Sequence, residues 1–293
     1  MKHRFLVGLA SLSVFIIALS IYRMQKDDIP MVSTWIWNTE KIQSSENREE
    51  MKEYLIINDI KIVYLQANET VGYESYQSFI EGLAEYGIEV HALDGAPIWG
   101  EEEHQTFLDW FNDYQKQAGE TEKFTGIHLD LEPYIREDWD ERRDEIVLDY
   151  QTSIHVMAQE ASNLGISFGI DIPFWFDEID FDNSFGSGTL AKWLMQEVDD
   201  ITIMAYRNQA EGENGIIKLV EQEIQWGTDF DKNIVIAVET IELPESHTSF
   251  YGKNKSEMNE QLVLVNQKYK DDPSFKGFAV HHLESWMAMG EEQ

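Results

Sequence analysis

From about residue 31 onward, short apolar segments alternate with longer stretches in which apolar residues recur every three or four positions. The short segments, residues 31–37, 60–67, 88–94, 126–132, 166–173, 201–206, 234–240 and 277–282, read as strands. A helical pattern follows each of the first seven. Ile146, Tyr150, Ile154, Met157 and Ala161 fall on one helical stripe, and Met258, Leu262, Val265 and Tyr269 on another. Gly87 and Gly165 stand directly before their strands, where a helix C-terminus calls for a residue tolerant of left-handed backbone. Strand–helix alternation repeated eight times predicts an α/β fold, a single (β/α)8 barrel over residues 31–293. An open doubly wound sheet is the alternative, but no Gly-x-Gly-x-x-Gly turn supports a nucleotide fold. The longest irregular connections, residues 174–188 and 241–254, follow the fifth and seventh strands, on the face where barrels carry function.

Residues 1–30 form a separate segment. Lys2-His3-Arg4 precedes an uncharged run, residues 5–22, which is followed by Arg23 and Lys26. This pattern predicts an export signal, cleaved near Ala18-Leu19-Ser20 or kept as a single-pass anchor. The run reaches spanning length, which favours the anchor, with Lys2 and Arg4 held inside. The barrel is then expected at the extracellular face of the membrane, or secreted.

Composition narrows the partners. The net charge of −33, from 55 acidic and 22 basic residues, repels nucleic acid and anionic lipid surfaces, so membrane contact is expected only through residues 5–22. The absence of cysteine excludes disulfides, thiolate chemistry and cysteine-ligated zinc. Nothing in the sequence calls for a cofactor, and a monomer is expected.

The chemistry concentrates in Thr125-Gly126-Ile127-His128-Leu129-Asp130-Leu131-Glu132-Pro133-Tyr134. On a strand, Ile127, Leu129 and Leu131 face one side while His128, Asp130 and Glu132 share the other. The remaining strand ends offer Trp35 and Trp37, Gln66, Asp94, Asp171, Tyr206 with Arg207, Glu239, and then His281, His282, Glu284 and Trp286. Carboxylates, aromatics and amides around one mouth suit carbohydrate hydrolysis. One carboxylic acid protonates the glycosidic oxygen, a second negative group supports the cationic centre, and aromatic faces stack on sugar rings. Alternation aims Trp35 and Trp37 the same way. A catalytic metal is not expected. The first strand reads Trp35-Ile36-Trp37 rather than His-x-His, and adjacent His281 and His282 point to opposite faces, the small Gly277 and Ala279 placing His281 inward.

The segment Thr125–Glu132 resembles the fourth-strand motif Asp-Gly-x-Asp-x-Asp-x-Glu of family-18 glycoside hydrolases, the chitinases and endo-β-N-acetylglucosaminidases. Met204-Ala205-Tyr206 resembles the family's Met-x-Tyr, and Trp286 matches its floor tryptophan. The resemblance implies an N-acetylhexosamine glycan as substrate. It implies Glu132 as the acid, Asp130 as the group that orients the 2-acetamido function, and Tyr206 as a hydrogen-bond donor to the acetamido oxygen. Thr125 and His128 replace the motif's first two aspartates, and Arg207 stands where the family usually has Asp. His128 is expected to hold the charge of Asp130, and Arg207 points away from plain chitin. A second mechanism fits the same fold, with Glu132 as acid/base and Glu239 as covalent nucleophile; the other reading of Glu239 is an ion pair with Arg207. A non-catalytic carbohydrate-binding barrel is the third reading, disfavoured by the presence of Glu132.

Overall fold

A computed structural model describes residues 29–97 and 99–290. Eight parallel strands close into a barrel: β1 (Met31–Ile36), β2 (Ile62–Gln66), β3 (Glu89–Ala96), β4 (Gly126–Leu131), β5 (Ser167–Pro173), β8 (Asp200–Met204), β9 (Asn233–Glu239) and β10 (Phe275–His281). They neighbour one another in chain order, and β1 closes the ring on β10. Each coincides with an expected strand. The extra pair, β6 (Asp180–Asn183) and β7 (Gly186–Thr189), is an antiparallel hairpin inside the connection after β5 that the sequence pattern left irregular. The export segment expected in residues 1–30 lies outside the described residues but for its last two positions. Among the described residues no helix is long and apolar enough to cross a membrane.

The alternation of β4 sorts its side chains between two cores. Ile127, Leu129 and Leu131 join the layer between barrel and helices. His128 turns inward, where Trp35, Tyr64, Leu93, Val235, Ala237 and Ala279 fill the barrel. The helix Arg143–Leu164 buries the stripe Ile146, Tyr150, Ile154, Met157 and Ala161 against the outer layer, with Ile146, Ile154 and Met157 each worth about 1.5–3 kcal/mol on burial. It ends at Gly165, whose φ of 70° is the left-handed cap conformation and whose N–H bonds to Ala161 and Ser162 carbonyls.

The interior makes room for imidazoles by pairing each with a glycine on the next strand. His91 lies opposite Gly126, and His128 opposite Gly169. A Cβ on Gly126 would stand 2.8 Å from the His91 ring, and one on Gly169 would stand 2.8 Å from His128 Nδ1. Two large polar rings thus fit in a barrel whose layers are otherwise closely filled.

Candidate active site

The site sits at the C-terminal mouth of the barrel and is built from the inside outward. At its base His128 stacks on Tyr64, with ring centroids 3.7 Å apart and planes 15° from parallel. Its Nε2 lies 2.8 Å from Asp171 Oδ1, and Asp171 Oδ2 accepts the Trp35 indole N–H at 2.9 Å. Complete burial pushes His128 down to about 3, so the ring is neutral at ordinary pH. A neutral ring this close to a carboxyl group requires one proton in the contact, carried by either partner. His128 Nδ1 has no partner. The expectation that His128 holds Asp130 is corrected: it holds Asp171, the carboxyl group of the neighbouring strand.

Asp130 lies one alternation nearer the mouth. Its Oδ1 is buried without a hydrogen-bond partner among the described residues. Burial, with the Asp171 and Glu132 carboxylates beside it, raises its pKa well above the usual carboxylate range. Burial raises Asp171 likewise. Gly95 on β3 is the register partner of Asp130. A Cβ there would approach the Asp130 carbonyl to 2.7 Å and the Trp37 ring to 3.1 Å, so this wall depends on the missing side chain.

Glu132 follows the last strand residue, and its N–H bonds to Ala96 O at 3.0 Å, which ties it to β3. Pro133 opens a short 3-10 turn, Pro133–Ile135, that swings Tyr134 back over the acid. The Tyr134 hydroxyl donates to Glu132 Oε1. Burial and the Glu132 carboxylate hold this phenol far above its usual range, so it remains a donor. Its ring is wedged edge-on against Trp175 and Phe176, at 5.0 and 6.0 Å between centroids. No protein donor reaches Glu132 Oε2 among the described residues.

The opposite wall is a second chain of hydrogen bonds. The Trp37 indole N–H donates to His281 Nε2 at 2.9 Å. That contact places the imidazole proton on Nδ1, which donates to Glu239 Oε2 at 2.8 Å. Glu239 Oε1 accepts the backbone N–H groups of Thr240 and Ile241 at 2.6 and 2.9 Å. Both of its oxygens are thus engaged, and the side chain is buried. The Tyr206 ring lies 6.1 Å from that of His281, and its hydroxyl has no protein partner among the described residues. Burial and the surrounding carboxylates keep the phenol protonated. Arg207, beside it, donates from Nη1 to its neighbour's carbonyl at 2.7 Å and lies 5.0 Å over the Phe174 ring. It forms no ion pair with Glu239 or Glu132.

The mouth therefore gathers Trp37, His128, Asp130, Glu132, Asp171, Tyr206, Glu239 and His281, with Arg207 on its rim. Two expectations are corrected. Trp35 points the same way as Trp37 but two residues deeper; at 1% exposure it cannot meet a sugar, and it anchors Asp171 instead. Trp286 lies on the helix Leu283–Ala288, buried edge-on against Tyr54 at 5.1 Å, away from the mouth. Tyr134 was not foreseen as a site residue. Its signal was its position two residues beyond Glu132, the spacing that already groups His128, Asp130 and Glu132. Among the described residues no cluster of three or more His, Asp or Glu is arranged to hold a metal ion.

No family model matches the sequence, and no curated protein matches it either. Solved structures do match. The glycoside hydrolase domain of PgaB (BpsB) from Bordetella bronchiseptica superposes with a TM-score of 0.55 at 10% identity, over 89% of this chain and 95% of that one. A chitinase from Chromobacterium violaceum gives 0.51 at 11% identity, over 88% and 97% of the two chains. An active-site mutant of a β-1,3-glucanosyltransferase from Rhizomucor miehei, in complex with laminaritriose, gives 0.52 at 10% identity over 86% of each. The likeness is one of fold. The chain shares the α/β barrel on which these proteins are built.

Proposed function

We propose that this chain is a glycoside hydrolase that cleaves an N-acetylhexosamine-containing glycan, with Glu132 as general acid and Asp130 as the partner of the substrate's 2-acetamido group. The observation that carries this reading is the placement of Asp130 beside Glu132, with a buried Oδ1 that no protein group satisfies. A buried acceptor left open costs about 1–3 kcal/mol, and an acetamido N–H is the donor that would satisfy it. In the reaction Glu132 gives its proton to the glycosidic oxygen as the bond to the anomeric carbon breaks. The acetamido oxygen closes on that carbon, and Asp130 accepts the N–H of the resulting cationic ring. Water activated by Glu132 then opens the ring and restores the carboxylic acid. Tyr206, whose hydroxyl is unpartnered, donates to the acetamido oxygen, and Trp37, held by His281, offers its face to the sugar. Asp171 supplies from β5 the charge-coupled carboxyl that His128 does not.

The double-displacement alternative with Glu239 as nucleophile ranks second, because three donors already occupy that carboxylate. A binding-only barrel would have no use for Tyr134 clamped on Glu132. With residues 5–22 as an anchor, the activity belongs at the outer face of the cell membrane. The test is Glu132→Gln assayed against N-acetylglucosaminide oligomers, cell-wall glycan and N-glycans. Loss of about a hundredfold or more is expected for the glycan that the wild type cleaves. A wild type that cleaves none of them, or a variant that cleaves as well, refutes the assignment.

A further inference from the structure

Arg207 differs in its pairing from the arginines that follow β4. Arg136 clasps Asp138 through Nε and Nη2, each at 2.8 Å, and Arg142 bonds both Asp138 and Glu145. Arg207, in a chain with net charge −33, pairs with no carboxylate among the described residues. It is only partly exposed, its Nε is buried without a partner, and Nη1 is spent on the Tyr206 carbonyl. Nη2 is left without an acceptor among the described residues. The guanidinium plane is fixed by that one bond and by the Phe174 ring beneath it. Phe174 follows β5 directly and Arg207 follows β8 closely, and these strands are neighbours, so the cation sits at the rim between β5 and β8, beside Tyr206. A half-desolvated arginine held in place and unpaired is costly in the free protein and well prepared for a planar anion.

Resting on the glycan reading above, we propose that Arg207 recognises a carboxylate carried by the glycan, so that the substrate is an acidic N-acetylated polysaccharide rather than a neutral one. The carboxylate belongs to the sugar bound beside the cleavage point, as a lactyl ether on an N-acetylhexosamine or as a uronic acid alternating with one. Both present the same planar anion to Nη2. The rest of the mouth, lined by Asp130, Glu132, Asp171 and Glu239, repels an anion placed anywhere else. Arg207 therefore fixes the register of the chain as well as its class.

Calorimetric titration of Glu132→Gln and of Glu132→Gln/Arg207→Gln tests this without turnover. The ligands are peptide-free lactyl-ether glycan tetramers, uronate–N-acetylglucosamine tetramers and neutral N-acetylglucosamine tetramers. One acidic tetramer is expected to bind the single variant more tightly than the neutral one. The acidic-to-neutral affinity ratio is expected to fall about tenfold to a hundredfold in the double variant. Arg207→Lys in the Glu132→Gln background should recover part of it. Which acidic tetramer shows the effect identifies the carboxylate's source. An unchanged ratio overturns the role of Arg207 while leaving the glycan reading intact, and failure of all three ligands to bind overturns both.

Discussion

Glu223 offers a sharp quantitative test of the forces in this structure. It lies on the helix Glu221–Phe230 with no exposed surface, and neither carboxyl oxygen has a partner. Burial, with a smaller contribution from Asp177, pushes it up to about 8. The helix packs on the turn Phe174–Glu178, which carries the ring under Arg207 and the two rings that wedge Tyr134. An acid whose pKa is higher folded than unfolded holds its proton more tightly in the native state. That stability is complete below the ordinary value of 4.5 and is lost as pH rises through about 8. Across this window the wild type should lose up to about 1.4 kcal/mol per pH unit from this residue alone. The interval from 4.5 to about 8 sets the total loss at up to about 5 kcal/mol. Glu223→Gln removes the titration and keeps the shape. Its amide carries a constant offset, so the slope with pH is diagnostic and the intercept is not. Urea denaturation of both proteins from pH 5 to 9 should show the variant gaining on the wild type steadily up to about pH 8 and then levelling. A stability difference that stays flat across that range refutes the reasoning.

Three further outcomes follow from the mouth itself. Tyr134→Phe removes the donor to Glu132 and should lower kcat about tenfold with little change in KM, since one such hydrogen bond is worth about 1–1.5 kcal/mol; steady-state kinetics on the cleaved glycan decide, and an unchanged kcat removes Tyr134 from the mechanism. Gly169→Ala drives a methyl into His128 Nδ1, where the open distance is 2.8 Å. The overpacking costs about 1–3 kcal/mol and should lower Tm by about 3–8 °C in a thermal melt. Asp171→Asn keeps an acceptor for Trp35 and a polar partner for His128 but removes the ionisable carboxyl group whose charge raises Asp130. The acidic limb of kcat/KM, which reports ionisation of Asp130 in the proposed reaction, should then move to lower pH, and a limb that stays in place argues against Asp130 as the acetamido partner.

The barrel was legible because each strand carries its own evidence. In β4 strict alternation separates Ile127, Leu129 and Leu131 from His128, Asp130 and Glu132, and the structure keeps that division. The hairpin β6–β7 escaped notice because its residues are polar, glycine-rich and mostly exposed, so no hydrophobic period marks it. It is held instead by strand pairing and by Asn183, which bonds Gln151 at 2.7 Å. Trp286 was misplaced because a helix begins at Leu283, and a helical turn carries the indole into the outer layer. Trp35 failed for a different reason. Its direction is right, but two residues along a strand are about 6.6 Å of depth, and depth rather than direction decides what meets a ligand. Likewise, alternation grouped His128 with Asp130 on one strand, whereas the nearer carboxyl comes from β5, and pairing across strands is invisible to a pattern read along one.

The charge arrangement explains why such a mouth favours reaction over mere binding in the proposed scheme. Asp130, Asp171, Glu132 and Glu239 converge on one opening, and His128 beneath them is neutral. Arg207, on the rim, is the cation that sits beside Tyr206. In the free protein this concentration of carboxyl groups is partly relieved by burial, which raises Asp130 and Asp171 above the usual carboxylate range. A neutral N-acetylated sugar gains little from the field in its ground state. Positive charge develops at the anomeric centre and on the acetamido group only as the glycosidic bond breaks, and then the field acts on it in full. An interaction that strengthens only in the transition state raises kcat rather than affinity. The Trp35 hydrogen bond and the His128 contact hold Asp171, and Tyr134 holds Glu132, so these carboxyl groups need not reorganise when the cation appears. A carboxylate on the substrate is compatible with this arrangement only where a fixed cation receives it, and Arg207 is placed to do that without touching the field at the reacting carbon.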